Sequence, residues 1–226
     1  MNIAAIIPAR KNSKRIPKKN RAKINDELFI QKVIDNIRAS GKVDSIYVST
    51  DDEYVEAKIA RAKILDRGNL FTDDFSTVID LLSHHHENEL SKFDIILLAY
   101  FHSICISPKV YSRAIEEFIG SSKNRMISVA PLPTPIKWLY EEDKNKQIYP
   151  IDLGAEKIRS QDLPSAFYNT GQFYLYKKPW FANQDLSDNI YFKLKGYQGV
   201  DVDEPHDLEV LRSIYHANKL VDKSLL

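Results

Sequence analysis

Between residues 10 and 23 the chain carries eight basic side chains, Arg10, Lys11, Lys14, Arg15, Lys18, Lys19, Arg21 and Lys23, and no acidic one. Asn12, Ser13 and Asn20 sit among them. Cations mixed with amide and hydroxyl groups on one short loop suit a triphosphate, because charged donors converging on one spot make strong, charge-assisted hydrogen bonds to phosphate oxygens. The spacing is not that of a Walker loop, since G-x-x-x-x-G-K-[ST] is absent. Asn12 tolerates a positive φ, which allows a tight backbone nest for an anion. On charge alone, a solvated surface loop is an equal reading. Towards the other end, Asp201 and Asp203 stand two residues apart, which on a strand points both carboxylates to one side. Such a pair suits Mg2+, which takes one or two carboxylates together with phosphate oxygens. Taken alone, D-x-D is more often a loop end or a helix cap.

These groups need a frame. Ile3–Pro8 is a continuous apolar run and reads as a buried strand that leads directly into the basic loop. Phe29, Ile30, Val33, Ile34 and Ile37 recur at helical spacing, and Gly41 follows as a stop signal. Strands are expected at 43–49, 63–66, 94–99 and 126–130. Helices are expected at 52–62, 77–90 and 107–120, the last with Pro108 at its first position. Strands alternating with helices predict an α/β fold, a Rossmann-like core with a mainly parallel sheet and crossovers on both faces. Ligands of such sheets sit beyond the carboxyl ends of the strands, where the basic loop begins. After Pro131 the rhythm changes. Residues 131–195 are expected to form a small inserted lobe, although 166–176 and 191–202 read as strands, and 204–219 as a closing helix. The whole chain, 1–226, is expected to be one domain.

Composition narrows the function classes. The 226 residues include 32 basic and 31 acidic ones, so outside the loop the balance is 24 against 31. A mildly acidic body with one basic loop fits a polyanionic small molecule better than nucleic acid. No apolar run approaches the roughly 20 residues of a membrane span, and the first strand begins within two residues of the N-terminus. The expected location is therefore cytoplasmic. Cys105 is the only cysteine, and it reads as buried packing. His84, His85 and His86 are consecutive on an expected helix, so they point in different directions and make a poor metal site.

The run Ile7-Pro8-Ala9-Arg10-Lys11-Asn12-Ser13-Lys14-Arg15-Ile16-Pro17-Lys18-Lys19-Asn20 resembles the N-terminal signature of the cytidylyltransferases that activate sialic and related nonulosonic acids. The resemblance extends from Ile3 to about Leu208. It implies a nucleotidyltransferase core whose loop binds CTP through Arg10, Asn12, Ser13, Lys14, Lys19 and Asn20. Val48-Ser49-Thr50-Asp51-Asp52 resembles the end of the family's second core strand, with Thr50 or Asp51 also suited to cap the next helix. Arg67 with Asp73-Asp74-Phe75-Ser76-Thr77 resembles the segment that lines the nucleotide site, which adds Arg67, Asp74 and Ser76. Asp201-Val202-Asp203 resembles the family's metal site, which implies Mg2+ held by Asp201 and Asp203.

The same resemblance implies attack of a sugar hydroxyl on the α-phosphate of CTP, with Arg10, Lys19 and Asp203 as the catalytic set. Arg159-Ser160-Gln161-Asp162-Leu163-Pro164 and Gly171-Gln172-Phe173-Tyr174 look most like the branch that activates pseudaminic acid. Arg159, Gln161, Asp162 and Gln172 are then the residues expected to bind an acidic nine-carbon sugar, the arginine through its planar fork. A homodimer formed by the lobe is implied as well. Sialic, legionaminic and keto-deoxy-octulosonic acids remain alternative acceptors, and a non-catalytic nucleotide binder remains an alternative role. The chain departs from the family at Phe101-His102-Ser103-Ile104-Cys105. There a proline is missing and His102 replaces a small hydroxyl residue.

Overall fold

The structure is a computed structural model and describes residues 1–67, 71–72 and 76–224. β1 (Ile3–Ala9) is buried on both faces except at Pro8 and ends at the basic loop. A 3-10 turn at Lys19–Arg21 and a small hairpin, β2 (Lys23–Ile24) with β3 (Glu27–Leu28), lead into α1 (Phe29–Ala39). Gly41 follows α1 with a φ of +68°, the left-handed conformation that favours glycine after a helix end. Next come β4 (Ser45–Thr50), α2 (Glu53–Lys58), β5 (Lys63–Asp66), α3 (Val78–Asn88), β6 (Ile95–Ala99), α4 (Pro108–Gly120) and β7 (Arg125–Pro131). The second half adds β8 (Tyr140–Glu142), β9 (Ile148–Pro150), β10 (Phe167–Lys177), α5 (Trp180–Asn183), β11 (Asn189–Lys193) and α6 (Pro205–Ser224).

Seven strands form one sheet in the order β11-β7-β10-β6-β1-β4-β5. Every neighbouring pair is parallel except those of β10, which runs antiparallel to β6 and β7. Alternation along the strands builds a core on each face. Ile3, Ala5 and Ile7 of β1 pack with α1, α4 and α6, whereas Ala4 and Ile6 pack with Leu82 of α3 and Trp180 of α5. Among the described residues, no helix is long and apolar enough to cross a membrane.

Three expectations change. α2 stops at Lys58, because Ile59 is extended and Arg61 takes a positive φ. The strand expected over 191–202 ends at Lys193 and gives way to a 3-10 turn at Gly196–Gly199, so Asp201 and Asp203 lie in an irregular segment before α6. Within 131–195, β10 and β11 are strands of the main sheet. The stretch 132–166, which carries the β8–β9 hairpin, is what stands outside that sheet. The change of rhythm after Pro131 therefore marks an excursion shorter than the one read from the sequence.

Candidate active site

The carboxyl ends of β1, β4, β5 and β6 all lead to the same edge of the sheet, and a cleft of about 650 Å³ opens there. Arg10, Ser13, Lys14, Arg15, Lys19 and Asn20 reach it from the loop after β1. Arg67 comes from the end of β5, Ser76 and Thr77 from the start of α3, and Tyr100, Phe101 and His102 from the end of β6. Gly171 and Tyr174 enter from β10, and Asp201 and Asp203 from the segment before α6. Residues far apart in sequence thus meet where open α/β sheets bind ligands.

The basic loop is held by its own backbone and by β4. The Asn20 amide donates to the Arg10 carbonyl at 2.8 Å, and the Lys11 N–H donates to Asp51 Oδ1 at 2.6 Å. The Thr50 hydroxyl donates to the Ala9 carbonyl at 2.7 Å. Asp52, rather than Thr50 or Asp51, caps α2 by accepting from the Tyr54 N–H at 3.0 Å, and it takes both Arg21 donors at 2.9 and 2.8 Å. The positive φ of the loop falls on Lys18, at 59°, and not on Asn12. Asn12 is exposed and does not line the cleft. At α3, Thr77 forms a capping box with Asp80 and thereby fixes the helix start that carries Ser76. Asp74 lies outside the described residues.

Charge is arranged around the two aspartates. Arg15 contacts Asp203 at 2.8 Å, and Lys19 stands 3.9 Å from Asp203 while donating to the Val202 carbonyl. Burial lowers the Lys19 pKa, against the pull of Asp201 and Asp203. Exposed Asp201, buried Val202 and half-buried Asp203 alternate, so both carboxylates line the cleft without a strand to hold them. Among the described residues, no three His, Cys, Asp or Glu side chains gather as a ready-made metal cage. Two carboxylates beside a basic loop still fit Mg2+, which fills most of its shell with phosphate and water oxygens. Arg67 is buried and donates to the Phe71 carbonyl at 2.9 Å, while among the described residues its Nε has no partner. Burial also lowers its pKa, so it is a desolvated cation facing the cleft.

The irregular part of β10 shapes the far wall. Its pairing with β7 advances five residues, from Asn169 to Tyr174, while β7 moves two, from Val129 to Ile127. This bulge puts Gly171 at a φ of +63°, where an added Cβ would stand 3.8 Å from Asp201 Oδ2. The Ser128 and Thr170 hydroxyls, 2.8 Å apart, pin the bulge from β7. The Gln172 carbonyl accepts from the Ser103 hydroxyl at 2.5 Å and the Tyr100 N–H at 3.1 Å. Its side-chain amide donates to the Val200 carbonyl at 2.9 Å.

A family model described as cytidylyltransferase matches residues 4–219. The chain belongs to the cytidylyltransferase family. It is 28% identical over 228 residues to a pseudaminic acid cytidylyltransferase of Campylobacter jejuni, a match that covers 96% of this chain and 98% of that protein. It is also 28% identical to a CMP-N,N'-diacetyllegionaminic acid synthase of Legionella pneumophila, over 97% and 98% of the two chains. Among solved structures, a CMP:2-keto-3-deoxy-manno-octonic acid synthetase complexed with CTP superposes with a TM-score of 0.73 at 17% identity, covering 96% of this chain and all of that one. That likeness shows the shared fold. The protein is thus a nucleotidyltransferase with the α/β core expected from its sequence.

In this cytidylyltransferase the residues expected at the sugar are not brought to the cleft of their own chain. Arg159, Gln161 and Asp162 are exposed on the stretch outside the sheet, where Arg159 Nε donates to Asp162 at 2.8 Å. Gln172 is buried, and its amide holds the backbone that leads to Asp201. Arg15, Tyr100, His102, Gly171 and Tyr174 line the cleft but are absent from the residues assigned by sequence. Arg15 sits in the basic loop and Gly171 and Tyr174 in the quoted glycine–glutamine run, whereas His102 is marked by the departure at Phe101–Cys105. His102 is fully enclosed; burial pulls its pKa down to about 4, against the charge of Asp201 and the Gly171 backbone.

Proposed function

We propose that this chain transfers CMP from CTP to an acidic nonulosonic sugar, with pseudaminic acid as the acceptor, and releases pyrophosphate. The observation that carries the reading is the convergence of Arg10, Lys14 and Lys19 with Asp201 and Asp203 in one cleft at the carboxyl ends of the parallel strands. The anomeric hydroxyl of the sugar attacks the α-phosphorus, and the bond to the β-phosphate breaks. Arg10, Lys14 and Lys19 neutralise the charge that builds on the phosphates, in a preorganised and partly desolvated setting. Ser13, Asn20 and Ser76 line the cleft as neutral hydrogen-bonding groups, and buried Arg67 offers a donor to the nucleotide. Asp201 and Asp203 would hold Mg2+, which supplies charge neutralisation and orientation of the phosphate oxygens.

Asp201 and Asp203 both line the cleft, and a passive nucleotide binder needs no such metal pair. Arg159, Gln161 and Asp162 can act on the sugar only from the stretch of a second copy, so a homodimer belongs to this reading. The relatives that act on pseudaminic and legionaminic acids support the acceptor class. The test is pyrophosphate release with CTP and Mg2+ over a panel of pseudaminic, legionaminic, sialic and keto-deoxy-octulosonic acids. The expected result is turnover highest with pseudaminic acid and strongly dependent on CTP. Comparable turnover with UTP would refute the nucleotide assignment, and faster turnover with another acid would transfer the acceptor to it.

A further inference from the structure

Asp201 and Asp203 are fixed to different degrees. Asp203 pairs with Arg15, and its own N–H, like that of Glu204, donates to Asp207 Oδ2, at 2.9 and 2.8 Å. Asp201 has no such frame. Its side chain is 56% exposed on an irregular segment, and among the described residues no lysine or arginine pairs with it. One buried side chain faces it: His102 Nε2 stands 3.4 Å from Asp201 Oδ1. His102 is only 4% exposed and its ring is held on several sides. It stacks on Tyr100 with centroids 5.8 Å apart and planes at 20°, meets Phe101 edge-on at 5.2 Å, and has the Gly171 backbone against it. His102 thus sits where three segments join, the end of β6, the bulge of β10 and the approach to α6. Neighbouring residues join the same segments, since the Ser103 hydroxyl donates to the Gln172 carbonyl and the Gln172 amide to the Val200 carbonyl. Those links hold the chain that bears Asp201, but they do not set the direction of its carboxylate.

Asp201 Oδ1 already accepts from the Val202 N–H at 2.7 Å. A carboxylate only accepts, so the imidazole proton that suits this contact is one on Nε2. The separation of 3.4 Å is longer than a usual N–H···O bond, and a shift of about 0.5 Å closes it. Catalytic hydrogen bonds commonly tighten in this way when substrate binds. With both donors on Oδ1, the other oxygen, Oδ2, is the one left for a cation. We propose that His102 is a positioning residue for CMP transfer, whose Nε2–H holds Asp201 Oδ1 and thereby directs Oδ2 to the divalent ion. The inference rests on the cation assignment made under the proposed function. In-line transfer is sensitive to such placement, because an error of about 1 Å costs on the order of 100-fold in rate.

The experiment begins with the unaltered full chain, its histidines labelled with 15N, read by NMR. The expected result is a His102 ring with its proton on Nε2, assigned by its absence in His102→Gln. That proton should move downfield when CTP and Mg2+ are added, as the bond to Asp201 shortens. A proton on Nδ1 alone overturns the proposal. Kinetics supply the second arm. His102→Leu fills the space without a donor, whereas His102→Gln retains an N–H close to the place of Nε2. In His102→Leu, kcat should fall about 10–100-fold, the range for partners that orient metal ligands, while the Michaelis constant for CTP stays close to normal. His102→Gln should restore most of that loss. Asp201→Asn combined with His102→Leu should be no slower than Asp201→Asn alone, because a residue that acts through Asp201 then has nothing further to lose. Additive losses, or equal losses in His102→Leu and His102→Gln, make His102 a packing residue and overturn the proposal. A Mg2+-dependent enzyme indifferent to His102→Leu overturns this proposal alone. Turnover that needs no divalent ion overturns it together with the cation assignment beneath it.

Discussion

Asp201 and Asp203 belong to one short segment, yet they meet different partners. Asp203 faces the cations Arg15 and Lys19, whereas Asp201 faces the buried ring of His102. Replacing Asp203 with Asn keeps the shape and one acceptor for Arg15 but removes the charge. Turnover at limiting Mg2+ should fall by roughly 100-fold or more, the scale of losing one preorganised electrostatic group. Thermal unfolding should stay close to that of the unaltered protein, because Asp203 is half-exposed. A near-normal rate at limiting Mg2+ would remove Asp203 from the catalytic set. The contrast explains what the sequence could reveal at this scale. The basic loop and the aspartate pair are legible because each keeps its chemistry within a few consecutive residues. Tyr100, His102, Gly171 and Tyr174 are not, since they become neighbours only when β10 inserts between β6 and β7. The place of Gln172 is illegible for a related reason. An amide beside a glycine looks the same in sequence whether it faces a ligand or, as here, the carbonyl of Val200.

The elements that carry the site are held by buried polar links as well as by apolar packing. Ser49 at the end of β4 lies 2.9 Å from His85 Nε2 on α3, and His85 Nδ1 lies 3.0 Å from Glu89. A carboxylate only accepts, so Nδ1 carries the proton and Nε2 accepts from the Ser49 hydroxyl. The order serine, histidine, carboxylate is that of a hydrolytic triad, but Ser49 is wholly buried and faces no cleft, so the three act as a bracket between β4 and α3. Burial lowers the His85 pKa, with Glu89 opposing. The unfolded chain therefore binds a proton more readily than the folded one. Stability from this histidine is present above the ordinary pKa of about 6.5 and is lost as pH falls below it. The unfolding temperature should drop between pH 7 and pH 5, and His85→Gln should make that slope shallower. His86 and His102 shift in the same direction and retain part of it. An unchanged slope would show that His85 does not titrate with folding. A second element-level test is Gly199, where an added Cβ would lie 2.7 Å from the Tyr168 hydroxyl and 2.9 Å from Ala130 and Thr170. Gly199→Ala should cost about 1–3 kcal/mol, as overpacking does. It should also lower turnover by displacing the bulge that bears Gly171. Full stability in denaturant would show that the turn has room to give. Neither device shows in the hydrophobic pattern that revealed the strands and helices, because both depend on side chains meeting across the sheet.

At the scale of the whole molecule, the stretch 132–166 has no core of its own. Apart from Ala155, none of its residues is buried. Tyr140, Ile148, Tyr149, Ile151 and Leu153 all point outward, Leu153 with 84% of its surface exposed. Apolar side chains exposed together on one projecting stretch are what an interaction surface presents. A second copy of the chain is the occupant in the proposed homodimer, and an interface formed twice by the same hairpin would be self-complementary. Sedimentation should then give a species of twice 26.1 kDa. The pair Ile148→Asp with Leu153→Asp should shift it to the monomer, because two buried carboxylates without partners cannot be accommodated at such a contact. The sheet core, which contains neither residue, should unfold at an unchanged temperature. Kinetics of that monomer then address Arg159, Gln161 and Asp162, which stand away from the cleft of their own chain. If they serve the cleft of the partner, the Michaelis constant for the sugar should rise while that for CTP, bound by the chain's own loop, stays close to normal. Arg159→Lys in the intact dimer should move the sugar constant in the same direction, by the loss of a charged, forked contact worth about 1.5–3 kcal/mol. A dimer that separates with both constants unchanged would confine the three residues to the structure of the 132–166 stretch. A single copy at micromolar concentration before any substitution would leave the exposed apolar side chains to another partner.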